Sequence, residues 1–249
     1  MMPTFKLTIG FDGTKFSGWQ VQPDRRTVQG AIQDTWQKIT GEAVHVTASS
    51  RTDAGVHALG QVVGVSSATH LDAEQLHRAL NALLPVDVIV KGVEMVTNDF
   101  HATYNAIGKR YRYRIYNSRC RPLFERDMVW HVPQMLDTEA MHQAAHVLVG
   151  THDFASFQSA GSERESTVRT ISAIEVQRGS GEQGALVEVD VEGNGFLYNM
   201  VRIIVGSLVE IGMSRRDKAW LAAALKACDR RQAGRTAPPQ GLCLMRVDY

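Results

Sequence analysis

The chain has 249 residues, 44% of them hydrophobic and 21% charged, which is enough to bury one large core or two modest ones and too apolar for a disordered tail. Three widely spaced cysteines, Cys120, Cys228 and Cys243, with no Cys-x-x-Cys pair, suggest neither a disulfide framework nor a thiolate zinc site. No apolar run reaches the roughly 20 residues of a membrane helix and the first ten residues carry no secretory pattern, so the expectation is a protein kept in the cytoplasm.

Phe5, Leu7, Ile9 and Phe11 alternate with polar neighbours and predict a strand over Thr4–Phe11, followed by a loop through Gly13 and Gly18 to Trp19. Val28, Ile32, Trp36 and Ile39 mark a helix with Thr27 as N-cap. Strands are expected at Val44–Ala48 and Gly60–Ser66, flanking the segment Ser49–Leu59. A helix from Asp72 to Leu84, stopped by Pro85, and a strand at Val86–Val96 complete a β-α-β-β-α-β order, the grammar of split-βαβ, ferredoxin-like sheets.

The second half repeats that grammar loosely. It carries a strand at Tyr104–Tyr116, a helix near Thr138–Val149, and strands near Ile171–Gln177 and Ala185–Val191. Helices at Phe196–Ile211 and Arg215–Ala227 and a strand at Leu242–Val247 follow. No Pro- or Ser-rich linker separates the halves, which favours two α/β domains, residues 1–104 and 105–249, sharing one sheet or packed tightly.

The net charge of +1 conceals an uneven distribution. Residues 101–126 carry seven basic side chains against one acidic, residues 127–201 three against eleven, and residues 202–235 eight against three. Two basic blocks on a neutral chain fit a local polyanion site, or else scattered solvated surface. Within the first block, Arg110, Arg112 and Arg114 share one strand face while Tyr111, Tyr113 and Ile115 share the other. A row of guanidinium groups suits phosphates and a neighbouring Tyr suits base stacking; a charge-protected strand edge is the bland alternative.

Two further features stand out. Arg51 and Asp53 lie in a loop of small residues, Ser49 to His57, where an Asx-turn with a solvated charge explains them as readily as chemistry does. Arg202 lies in the apolar helix Phe196–Ile211, where a guanidinium requires a carboxylate partner, a ligand anion, or a route to the helix edge for its head. Nine histidines contain no His-Glu-x-x-His, and neither a P-loop nor a Gly-x-Ser-x-Gly elbow occurs, so no metal site and no hydrolase triad is expected.

Taken together, several segments resemble the tRNA pseudouridine synthase A family. The resemblance rests on Arg51-Thr52-Asp53-Ala54-Gly55-Val56-His57, Phe11-Asp12-Gly13 through Gly18-Trp19-Gln20, Asp99-Phe100-His101-Ala102 and Lys109-Arg110-Tyr111-Arg112-Tyr113. It continues through Asp153-Phe154 with Ser156-Phe157, Thr167-Val168-Arg169-Thr170-Ile171 and Gly193 to Arg202, in order along nearly the whole chain. Ser50 stands where many members have Gly.

The resemblance implies an α+β pseudouridine synthase fold in which two ferredoxin-like domains share a continuous antiparallel sheet with an active cleft between them. It implies a cofactor-free, homodimeric isomerase that converts uridine to pseudouridine at positions 38, 39 and 40 of the tRNA anticodon stem-loop. Asp53 would be the essential carboxylate, Tyr111 would pack on the uracil, and Arg202 would keep Asp53 ionised. Arg51 would help extrude the base, with Arg110, Arg112 and Arg114 on phosphates. A catalytically silent RNA-binding protein on the same scaffold is the alternative, and a glycosidase-like hydrolase a weaker one because only one carboxylate is nominated.

Overall fold

The alternation at the start of the chain forms strand β1 (Thr4–Phe11) in the computed structural model, which describes residues 2–161, 166–179 and 184–249. The chain divides into two units, one made of Met1–Ile107 with Cys243–Tyr249, the other of Gly108–Leu242. The C-terminal segment therefore belongs to the first unit, which departs from a division of the sequence at 104/105.

In unit 1 the elements after β1 are α1 (Val28–Thr40), β2 (Val46–Ala48), β3 (His57–Ser66), α2 (Ala73–Leu83) and β4 (Val88–Val96). Helix α1 begins where expected because the Thr27 side chain accepts from Gly30 N, and α2 begins with a capping box between Asp72 and Gln75. The sheet order is β4-β1-β3, with β2 beside β3, and all these pairs are antiparallel, the order of a split βαβ unit. The alternating Phe5, Leu7 and Ile9 of β1 are buried, as are Val28, Ile32 and Trp36 of α1 and Leu76 and Leu80 of α2; the Phe5 and Trp36 rings lie 5.9 Å apart. Ile39, expected on the apolar face of α1, is only half-buried.

Unit 2 holds β5 (Gly108–Tyr116), β6 (Trp130–His131), α3 (Thr138–Ala145), β7 (Gly150–Asp153), β8 (Val168–Arg178), β9 (Leu186–Gly193), α4 (Met200–Gly212) and α5 (Lys218–Ala227). Its sheet runs β5-β9-β8-β7 in antiparallel pairs, with β6 parallel to β5. Every residue of α4 except Arg202 and Glu210 is buried, as its uninterrupted apolar sequence predicts. The closing strand β10 (Leu242–Asp248) pairs in parallel with β3 at Cys243–His57 and Leu244–Ala58.

Several boundaries differ from the sequence expectation for identifiable reasons. The strand expected from Tyr104 starts at Gly108, because residues 101–105 form a turn in which Asn105 N donates to His101 O. The helix expected from Phe196 starts at Met200, because Asn199 takes a left-handed backbone conformation, φ 62°, that breaks helical continuity. The helix expected from Arg215 starts at Lys218, capped by Asp217, and the one expected over Thr138–Val149 tightens after Ala145 into a 3-10 turn. Among the described residues, no helix is long and apolar enough to cross a membrane.

Candidate active site

Asp53 stands in the loop between β2 and β3, and unit 1 holds that loop from below and from the side. Below it, the fully buried Gln61 of β3 accepts from Ser49 Oγ and donates from Nε2 to Ser50 O, both at 2.6 Å. Beside it, Trp19 N donates to Thr52 O at 3.0 Å, and Val56 N closes the turn onto Asp53 O at 3.1 Å. The glycines of the first loop are needed for this approach. A Cβ on Gly13 would lie 2.0 Å from Val56 O, and one on Gly18, at φ +95°, 2.9 Å from Thr52 O. Ser50 has no positive φ, so the serine found there strains nothing.

Where the loop joins β3, the buried His57 accepts from Gly13 N at its Nδ1, 3.0 Å, with Asp12 Oδ1 3.2 Å from the same nitrogen. Burial opposes the charge on Asp12, but hydrogen bonds from the Thr14 hydroxyl and backbone N–H outweigh it and hold the carboxyl below its ordinary range. Within this frame Asp53 is half-buried and Arg51 exposed, while Thr52 is buried with no hydrogen-bond partner on its hydroxyl. The frame fixes the backbone on both sides of Asp53, which is what a carboxylate aimed at one reacting atom requires.

In unit 2, Tyr111 lies on the buried face of β5 and meets Phe196 edge-on, with ring centroids 5.2 Å apart at 88°. Tyr113, two residues on, donates its hydroxyl to Pro238 O at 2.7 Å, and burial pushes the pKa of that phenol up. Tyr113 is thus committed to the core. Arg202 is half-buried at the first turn of α4; its Nε donates to Ala237 O at 2.8 Å and its Nη1 to Asn199 Oδ1 at 2.6 Å. Asn199 also donates from Nδ2 to Ser159 Oγ at 3.0 Å. These bonds resolve part of the puzzle posed by a guanidinium in an apolar helix: Arg202 reaches the helix start and finds oriented neutral acceptors there.

Arg110, Arg112 and Arg114 share the other face of β5, as their spacing predicts, but that face is not a bare row of cations. Strand β9 sets Glu192 opposite Arg110, Asp190 opposite Arg112 and Glu188 opposite Arg114. Arg112 donates to both oxygens of Asp190, 3.0 and 2.8 Å, and Arg110 to Asp190 Oδ2 at 3.1 Å; Glu192 and Glu188 flank the ladder. Asp190 is only 3% exposed. Burial disfavours its charge, yet the bonds and field of Arg112 and Arg110 hold its carboxyl below the usual range. The acids missing from the sequence reading were visible as alternation, at Glu188, Asp190 and Glu192 within the acidic block.

Among the described residues no group of three or more His, Cys, Asp or Glu side chains could hold a metal ion.

A family model described as tRNA pseudouridine synthase matches residues 8–105 and 144–249. A tRNA pseudouridine synthase A of Brevibacillus brevis is 46% identical over 248 residues, and one of Acetivibrio thermocellus 43% identical over 248 residues, each alignment covering 100% of both chains. Among solved structures, the chain aligns with one from a Cbf5-Nop10-Gar1 complex at TM-score 0.37 and 15% identity, covering 96% of this chain and 57% of that one.

Proposed function

Because the chain belongs to the tRNA pseudouridine synthase A family, and so is an isomerase acting on tRNA, we propose that it converts uridines at positions 38, 39 and 40 of the anticodon stem-loop with Asp53 as the essential carboxylate. In this reaction the N1–C1′ bond breaks, the freed uracil turns, and C5 bonds to C1′. The C5 hydrogen then leaves as a proton and N1 gains one, so nothing is consumed. Asp53 acts ionised, either as a nucleophile toward the sugar or base or as the base that removes the 2′ proton. Tyr111 packs on the uracil, and Arg202 supplies the positive charge that keeps Asp53 ionised.

Target atoms in a stem are hidden by stacking, so the uridine must be extruded at a cost of a few kcal/mol, and Arg51, exposed beside Asp53, occupies the space left behind. Phosphate contacts from Arg110, Arg112 and Arg114 use only the donors that their carboxylates leave over. The enzyme works as a homodimer in the cytoplasm, without a cofactor.

The observation that carries this reading is the clamped Asp53 loop, since plain RNA binding gives no reason to fix an acid so firmly among small residues. The test is tritium release from tRNA bearing 5-³H-uridine. Wild type releases the label; Asp53→Asn binds tRNA within about tenfold of wild type and releases none. Substantial release by Asp53→Asn removes the acid from the chemistry, and binding without release by wild type points to a silent RNA-binding protein.

A further inference from the structure

We propose that the turn at residues 101–105 is a stacking platform for one unpaired nucleobase of the RNA substrate, with Tyr104 as its outer face and His101 beneath. The inference rests on the tRNA-directed activity proposed above and adds a subsite to it.

Tyr104 is 83% exposed, yet its ring is not loose: it lies on the His101 imidazole with centroids 4.1 Å apart and planes 24° from parallel. The imidazole is itself fixed, because its Nδ1 accepts from both Thr103 N and Tyr104 N at 3.2 Å. An Nδ1 that accepts leaves the proton on Nε2, so the lower ring of the stack is a neutral imidazole.

The turn is fastened to unit 1 at several points. His101 N donates to Asn105 Oδ1 at 2.6 Å, and Thr103 Oγ1 to Ala48 O at 2.8 Å. The fully buried Ala102 accepts the Tyr249 hydroxyl at 2.7 Å, and Ile107 N donates to Asp248 O at 2.8 Å. The outer face of Tyr104 is therefore presented to solvent with its orientation already set, which lowers the ordering cost of anything that stacks on it.

The flanking Thr103 and Asn105 are exposed and polar, so the ring offers one flat face and not an apolar groove. A base has the matching shape, and stacking on an aromatic side chain tolerates any base because each has a π-face. Position adds a reason. Thr103 is bonded to Ala48, the last residue of β2, and the next residue, Ser49, opens the Asp53 loop. Extruding a uridine at a site filled by Arg51 disturbs the stacking of nearby bases, and a fixed ring near that loop offers a face to one that is left unpaired.

The experiment uses the full chain, an unmodified tRNA transcript and two variants. Tyr104→Leu is expected to melt like wild type and bind the transcript about tenfold more weakly or worse. Tyr104→Trp is expected to bind at least as well as wild type, and the emission it adds to the wild-type spectrum is quenched as tRNA saturates. Wild-type affinity in Tyr104→Leu, or added emission that saturating tRNA leaves unchanged, overturns the platform. So does a Tyr104→Leu protein that keeps its tRNA affinity but loses self-association, which assigns the ring to a protein contact. If Tyr104→Leu does not fold, the emission of Tyr104→Trp decides alone. Wild type that binds tRNA through Tyr104 without turnover sinks the isomerase reading and leaves the platform; turnover indifferent to position 104 sinks only the platform. A wild type that does not bind the transcript sinks both.

Discussion

Asn199 accepts a 2.6 Å hydrogen bond from Arg202 Nη1 while its own backbone sits in the left-handed region at φ 62°. Asparagine is one of the few side chains that tolerates this conformation, and here its amide works outward on both sides, toward Arg202 and toward Ser159. Asn199→Gly keeps the backbone and deletes the amide, so the expected result is a fall in kcat of roughly ten- to a hundredfold with KM little changed. Asn199→Asp keeps an accepting oxygen and recovers most of that loss. Equal losses in the two variants would place the effect in the Nδ2 donation to Ser159, which both lose, and not in the acceptance from Arg202; steady-state kinetics on tRNA separates the outcomes.

Asp190 and its two arginines contribute to the acid limb of stability. The native carboxyl titrates below the roughly 3.9 of an unfolded Asp, so its contribution is fully present above that value and is lost as pH falls through the lower native one. Removing Arg112 leaves a buried carboxylate with half its partners and costs about 2–3 kcal/mol, less than for a fully buried pair because the arginines are partly exposed. Urea melts at pH 7, 5 and 3 are expected to show Asp190→Asn well below wild type at the first two and the gap narrowed at the third, where an unfolded Asp is already largely protonated. A gap of the same size at all three pH values would place the effect in packing.

The same ladder bears on tRNA affinity. A lysine or arginine that neutralises a phosphate releases a counterion and adds about one unit to the slope of log K against log salt. Arg110 already faces Asp190 and Glu192, so Arg110→Ala is expected to flatten the slope by well under one unit. Filter binding between about 50 and 200 mM salt measures it. A full unit would show that Arg110 leaves its carboxylates for the RNA.

Thr52 presents a simpler case. Its hydroxyl is buried without a partner, so the isosteric Thr52→Val removes a desolvation cost and is expected to stabilise the protein by about 1 kcal/mol, seen as a rise in Tm. A fall in Tm would mean that a bound water satisfies the hydroxyl.

What the sequence made legible was local. The Thr27 cap, the Asp72 helix start, the alternation of β1 and the buried character of α4 all follow from neighbours within a few residues, and each is found. The Arg51–Asp53 segment was recognisable as a motif, but its grip by Gln61, Trp19 and Gly13 depends on strand register and on a loop some 40 residues earlier. The arginine row was legible and its acids were not, because pairing Arg112 with Asp190 spans 78 residues. Asn199 is hidden for a different reason: nothing in an apolar run announces a left-handed residue, so the pattern predicts a helix that starts four residues before the observed one.

The parallel pairing of β10 with β3 governs the order in which the molecule can be made. Cys243 and Leu244 lie beside His57 and Ala58, the residues that close the Asp53 loop, and Tyr249 ties down the turn that bears Tyr104. A ribosome has therefore translated all of unit 2 before the last strand of unit 1 exists, and the long loop this closes makes the step slow relative to hairpin formation. A nascent chain stalled shortly before Cys243 holds the whole Asp53 motif without the strand that flanks it, and a frameshift within the codons for residues 243–249 damages unit 1 after all of unit 2 has been translated.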